Sequence, residues 1–224
     1  MKHRIKLSQR VLPRYTKGEE IANMVTHIIG GAIAIGILIL CIIRSVYSKS
    51  IIACVSSFIY GFTMIAVYAI SSIYHGLRKS TGKKVMQIID HCAIYFLIAG
   101  TYTPILLSKL IPVYPIIGWS LLAAQWCLCI FATTLTAIDL HHYRVISMIC
   151  YIGMGWGIIF FLPEAINVLT PGGFYWLLSG GITYTIGAIL YGIGVKKRWM
   201  HCVFHMFVVI GSILQAISIL FYVL

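Results

Sequence analysis

The sequence predicts an all-α integral membrane protein, a single bundle of seven transmembrane helices with a cytoplasmic amino terminus and an outer carboxyl terminus. Three observations carry that prediction. Hydrophobic residues fill 60% of the 224 positions and charged residues only 10%, with a mean hydropathy of +0.96. A water-soluble domain of this size needs far more polar surface. The apolar residues gather into seven runs close to the ~20 residues that cross a bilayer. The basic residues lie between those runs, and they are biased towards alternate connections.

The chain opens with a basic tail, residues 1–18, and continues as one membrane domain over residues 19–224. The predicted spans are Ile21–Ile43, Ile51–Tyr74, Val85–Ser108, Val113–Leu135, Val145–Leu162, Phe174–Val195 and Trp199–Leu224, none of which contains lysine or arginine. Short connections rich in Gly, Pro, Ser or charge separate them: Arg44–Ser50, Gly76–Lys84, Lys109–Pro112, Thr136–Arg144, Pro163–Gly173 and Lys196–Arg198.

Alternating the connections puts fourteen basic residues on the tail side, in the tail and at Arg78, Lys79, Lys83, Lys84, Arg144, Lys196, Lys197 and Arg198. Three, Arg44, Lys49 and Lys109, fall on the other. The positive-inside rule then places the tail in the cytoplasm of a multi-pass protein of the cell membrane. The first apolar run follows about twenty polar residues and is long enough to remain as a span, unlike a cleaved signal. The tail and basic connections suit either solvent or anionic lipid headgroups. The net charge of +12 does not indicate a nucleic-acid partner, because the cations are loop clusters between spans. The seven cysteines are scattered and show no disulfide framework. Gly153, Gly155, Gly157, Gly180 and Gly181 suggest close helix packing.

Ionisable residues inside a bilayer are costly, so each is a functional candidate. His201 and His205 are four apart and share one helix face, and Ser71 and His75 repeat that spacing. Glu20, Asn23 and His27 follow one stripe of the first helix. Topology brings these groups and Asp90 to one depth near the cytoplasmic edge. His75, His201 and His205 with one open position match a catalytic type of zinc site, in which the ion lowers the pKa of its water to about 7. Asp90 would take a proton from that water or orient it. Ser71 would bond the water or a substrate carbonyl. Glu20 or Asn23 would hold an imidazole from behind, with His27 on the same stripe. His91 points elsewhere around its helix, His141 and His142 suit an interface, Cys202 faces away, and Glu164 lies near the outer surface without a role.

These motifs resemble those of the hemolysin III proteins, the bacterial branch of the progestin and adiponectin receptor family. The resemblance runs through Gly18-Glu19-Glu20-Ile21-Ala22-Asn23-Met24-Val25-Thr26-His27, Ser71-x-x-x-His75, Asp90-His91, Ala99-Gly100-Thr101-Tyr102-Thr103-Pro104 and His201-x-x-x-His205. It implies a seven-helix bundle, a zinc ion on the three histidines, and Asp90 at its water. The wider superfamily includes alkaline ceramidases, which implies hydrolysis of a lipid amide or ester. The chain lacks the long cytoplasmic tail of the receptors.

Three readings remain open from sequence. The first is a zinc-dependent hydrolase acting on a membrane lipid. The second is a lipid-responsive regulator or receptor of membrane homeostasis, in which zinc is structural. The third is a hemolytic, pore-forming protein, which the nearly apolar midplane of the spans disfavours. A retinal protein is excluded by the absence of lysine from the last span, and a proton pump by the absence of acidic residues towards the bilayer centre.

Overall fold

A computed structural model describes residues 7–194 and 197–224. Lys2, Arg4, Ile5, Lys6 and Lys196, which entered the charge and tail readings, lie outside the described residues. The described chain is helical, with no strand among these residues. Helix α1 spans Lys17–Tyr47, α2 Ile51–Gly76, α3 Thr81–Ile105, α4 Pro115–Asp139, α5 Arg144–Trp156, α6 Leu162–Gly194 and α7 Met200–Ser218. Among the described residues, six helical runs suit a membrane by length and composition: Lys17–Tyr47, Ile51–Gly76, Thr81–Val113, Pro115–Asp139, Arg144–Ile193 and Met200–Val223. Five of them correspond one to one with expected spans. The fifth in chain order, Arg144–Ile193, covers two.

Local chemistry explains where the helices begin. Thr16 caps α1 in a reciprocal box with Glu19, while Ser50 and Ser80 cap α2 and α3 through their hydroxyls. Each cap satisfies amide groups that the first turn leaves without partners. The α3 run does not stop at the expected Lys109–Pro112 connection. It continues past Pro104 through a wider π turn at Leu106–Leu110 and a last turn at Ile111–Val113, and bends at Tyr114. Proline removes one intrahelical donor, and the π turn absorbs the local change in register.

The largest departure from expectation is the segment Pro163–Gly173, which is helical rather than a loop. Pro163 needs no donor near a helix start, and the following Glu164–Leu169 stretch buries Ala165 and Leu169 completely. Helical geometry breaks only at Thr170, with φ 61° and ψ 161°. The residue before Pro171 is disfavoured from helical angles, and Pro171 then opens the second part of α6.

Packing concentrates on one side of each helix. Tyr60, Met64 and Tyr68 of α2, Tyr95 and Leu97 of α3, and Ile219 after α7 are almost fully buried. Tyr68 and Tyr184 both meet the Ser212 hydroxyl at 2.7 Å, which ties α2, α6 and α7 together. The other faces display Ile28, Ile35, Phe58, Phe62, Ile130 and Phe221, an apolar exterior suited to hydrocarbon.

The glycine expectation holds in part. A methyl at Gly180 would meet Gln215 and come within 2.9 Å of the Gly211 carbonyl, and one at Gly157 would approach Gln125 to 3.2 Å. Gly153, Gly155 and Gly181 face no atom within 4 Å, so they do not mark close packing. Gly155 instead borders a cavity. All seven cysteines carry free thiols.

Candidate metal centre

Four chain segments meet at the end of the bundle that carries the amino-terminal segment: the start of α1, the end of α2, and the starts of α3 and α7. His75, His201 and His205 converge there, with one ligand atom from each lying within 4.8 Å of the others. The Nε2 atoms of His201 and His75 are 3.3 Å apart, and those of His205 and His201 are 3.0 Å apart. Nitrogens bound tetrahedrally at about 2.05 Å from zinc would stand roughly 3.3 Å apart. His75 and His205 are buried, with 2% exposure each.

The outward-facing nitrogens identify the tautomers. His75 Nδ1 lies 2.7 Å from Glu20 Oε2, and His205 Nδ1 lies 3.3 Å from the Asn23 carbonyl. A carbonyl can only accept, and Glu20, itself gripped by Lys83, acts as a carboxylate acceptor; both Nδ1 atoms therefore carry the proton. The Nε2 lone pairs of His75 and His205 then point at His201 Nε2. One proton on His201 can serve only one of them. A shared cation satisfies all three, so the donor set fits a metal ion. His201 Nδ1 is buried without a partner.

Glu20 joins two layers of this arrangement. Its Oε1 accepts from Lys83 Nζ at 2.7 Å, and the same ammonium reaches the carbonyls of Leu77 at 3.0 Å and His75 at 3.4 Å. Lys83 is only 3% exposed and lies over the Tyr74 ring at 5.1 Å. In the sequence Lys83 looks like one more loop cation. Its i, i+4, i+7 register with Gln87 and Asp90 was the available signal.

The other predicted residues fall in and around the same place. Ser71 and Asp90 line a cavity just inside the histidines, and the Ser71 hydroxyl reaches the Asp90 carboxyl. Asn23 is fully buried, and its amide nitrogen lies 3.5 Å from His75 Nδ1. His27 does not hold a ligand through a hydrogen bond. Its ring stacks on His205 at 3.7 Å and 11°, and neither of its nitrogens has a partner. His91 donates from Nδ1 to the Gln87 carbonyl at 2.8 Å and borders the cavity. Asp139 accepts from the backbone of His141 and His142 at 3.0 and 3.1 Å, which makes it a turn-forming group outside the histidine cluster.

Tyr15 was missed entirely because a polar tail carries no periodicity from which to place it. Its ring stacks on His201 at 5.0 Å and 21° and lies 5.8 Å from His75. Burial, with Tyr191 and nearby carboxylates, pushes the phenol above its ordinary range.

The cavity has a volume of about 210 Å³ and runs from His27, Ser71, Asp90, His201 and His205 along mostly apolar walls that include Leu97, Ile105, Phe174 and Leu177. Fold and site together define a multi-pass helical membrane protein with a three-histidine group able to hold a metal ion at the mouth of an apolar cavity.

Comparison with known proteins gives that class a family. The Haemolysin-III related family model matches residues 15–216; the chain belongs to this family. It is 40% identical over 206 residues to "Hemolysin-3" of Bacillus cereus, covering 92% of each chain. It is 36% identical over 208 residues to the "Hemolysin-3 homolog" of Bacillus subtilis (strain 168), covering 93% of this chain and 96% of the relative. It is also 26% identical over 220 residues to "Monocyte to macrophage differentiation factor" of Homo sapiens, covering 93% of this chain and 85% of the relative.

Proposed function

We propose that the protein is a zinc-dependent membrane hydrolase that cleaves the acyl linkage, amide or ester, of a membrane lipid from the cytoplasmic side. The observation that carries this reading is the convergence of three Nε2 atoms beside Asp90 and Ser71, at the mouth of an apolar cavity. Three protein ligands leave one position open, whereas structural zinc sites generally use four.

His75, His201 and His205 would hold the ion, with Glu20 and the Asn23 carbonyl fixing the tautomers of two of them. Bound zinc supplies a water of near-neutral pKa and polarises a carbonyl. Asp90 accepts a proton from the attacking water and returns it to the departing amine or alcohol as the acyl carbon's bond to nitrogen or oxygen breaks. Ser71 orients Asp90 through its hydroxyl. Apolar side chains such as Leu97 and Leu177 accommodate the acyl chain and exclude water from it. The basic connections on the tail side would hold anionic lipid headgroups near the site.

This reading includes seven crossings. The Arg144–Ile193 run has 50 residues, about 75 Å of helix at 1.5 Å per residue, against about 30 Å of hydrocarbon. The break at Thr170 divides it into two crossings, which puts the two termini on opposite sides. A reporter fused to the carboxyl terminus is expected to be protected from cytoplasmic reagents and exposed to outer ones.

The enzymatic test is Asp90→Asn in purified protein. Zinc content stays at the wild-type level while hydrolysis of lipid amides and esters is lost. Equal turnover by the variant overturns the mechanism. The covering of His201 by Tyr15 favours the second reading, a non-catalytic lipid-responsive regulator with structural zinc. Zinc-loaded wild type that cleaves no lipid amide or ester decides for that reading.

A further inference from the structure

Before its first helix, the described chain crosses the tail-side end of the bundle and is held at separated points. Leu7–Gln9 forms one tight turn, closed by the Arg10 amide on the Leu7 carbonyl at 3.3 Å. The Arg10 side chain is 5% exposed and stands 4.0 Å from the Asp139 carboxylate at the end of α4. Five residues later Tyr15 lies flat against His201. The segment then enters α1 through the Thr16–Glu19 box, and Glu19 Oε1 accepts the Trp199 amide at 2.7 Å. Trp199 has φ 67° and directly precedes α7, so this bond ties the base of the segment to the helix bearing His201 and His205.

Between these anchors the contact is open. An open hollow of about 430 Å³ is lined by Val11, Leu12 and Arg14 of the segment and by Lys79, Ser80, Thr81 and Lys84. Arg14 on one wall and Lys79 on the other carry like charges, which oppose a tight seal there. The segment is therefore pinned at Arg10 and at its base, holds one aromatic ring over a histidine, and is loosely packed between. Purely structural docking would be expected to fill that hollow with apolar contact.

We propose that Leu7–Thr16 is a latch over the tail-side mouth of the histidine centre, with Tyr15 as the ring that sets access of water-soluble ions to it. Arg10 and Asp139 form the far anchor. The cavity walls give the site an apolar approach from within the bundle, while Tyr15 closes the polar one. Opening needs the loss of the Tyr15 stack, the Arg10–Asp139 pair and the packing of Leu7–Gln9 on the start of α3, with no membrane helix moved. The proposal rests on the metal reading only for its first readout.

The test measures the rate at which zinc-loaded, full-length protein in detergent yields its ion to excess chromophoric chelator. Tyr15→Ala is expected to accelerate transfer at least ~10-fold, the effect of about 1.4 kcal/mol on a barrier. Tyr15→Phe, which keeps the ring, is expected to match wild type. Arg10→Met, which touches no histidine, is expected to accelerate transfer as well. Unchanged rates in Tyr15→Ala and Arg10→Met overturn the latch, as does Tyr15→Phe transferring as fast as Tyr15→Ala. A second readout needs no metal. Trypsin cleavage at the Arg14–Tyr15 bond, followed by mass spectrometry, is expected to be several-fold faster in Arg10→Met than in wild type. Equal cleavage overturns the latch even if the protein holds no zinc.

Discussion

Glu20→Gln separates the electrostatic support of the centre from its shape. The substitution keeps the size of the side chain and leaves an amide oxygen for His75 Nδ1, now 2.7 Å from Glu20 Oε2. It removes the negative charge that supports the imidazole and pairs with Lys83 Nζ at 2.7 Å. Loss of an outer partner of a metal-bound histidine typically lowers affinity about 10- to 100-fold, or about 1.4–2.7 kcal/mol. The ion pair contributes separately to stability. Breaking a fully buried pair costs about 3–5 kcal/mol, but the Glu20 side chain is 20% exposed, so about 2 kcal/mol is expected here. Lys83 also keeps the carbonyls of His75 and Leu77. Competition with a chromophoric chelator reads affinity, and thermal unfolding in detergent reads stability. The double variant Glu20→Gln/Lys83→Met removes the ammonium left without its carboxylate, at the loss of its bonds to the His75 and Leu77 carbonyls, and is expected to recover part of the stability while affinity stays low. Wild-type zinc affinity in Glu20→Gln, within about twofold and well below the expected loss, would refute the claim that Glu20 supports a ligand. Recovery of affinity with stability in the double variant would refute the separation of the two effects.

Other perturbations bear on different links of the account. Gly100→Ala drives a methyl into the Thr63 side chain of α2 and is expected to destabilise the bundle by about 1–3 kcal/mol; Thr63→Ala in the same chain restores detergent half-life, and failure of that rescue places the strain elsewhere. Leu177→Trp narrows the apolar cavity and is expected to shift hydrolysis towards shorter acyl chains at unchanged zinc content; an unaltered chain-length profile removes the cavity from substrate selection. His27→Phe keeps an aromatic face for His205, on which His27 stacks at 3.7 Å, without nitrogens. It is expected to retain zinc within about threefold, well short of the 10- to 100-fold loss that follows removal of an outer partner. A larger loss would give His27 a polar role in the centre.

How much was legible from sequence follows from how each feature is encoded. The pairs Ser71/His75 and His201/His205 were readable because the helical period places residues four apart on one face. Apolar run length and alternating loop charge indicated that the starts of α1, α3 and α7 and the end of α2 share one depth. The place of Glu20 and Asn23 beside the histidines was readable for the same reason, although the Asn23 atom that meets His205 Nδ1 is its backbone carbonyl. Lys83 was obscured because a loop cation that satisfies the positive-inside rule and one that clamps a carboxylate look alike in composition. Tyr15 and Arg10 act through contacts far along the chain, and no local period marks such a partner. Pro163–Gly173 looked like a loop because Pro and Gly bracket it, yet its interior buries Ala165 and Leu169 on a helix. Gly153 and Gly155 resembled a packing motif, but spacing alone does not say whether a neighbour stands opposite.

The most direct measurement is the zinc content of purified wild-type protein beside His201→Ala after exhaustive dialysis. His201 Nε2 lies within 3.3 Å of both partner nitrogens, so its removal takes away the ligand common to both contacts. Wild type is expected to retain about one ion per chain, as a single three-histidine centre requires, and the variant almost none. Wild-type protein that stays empty when zinc is supplied, or a variant that holds as much as wild type, would contradict a shared ion at His75, His201 and His205.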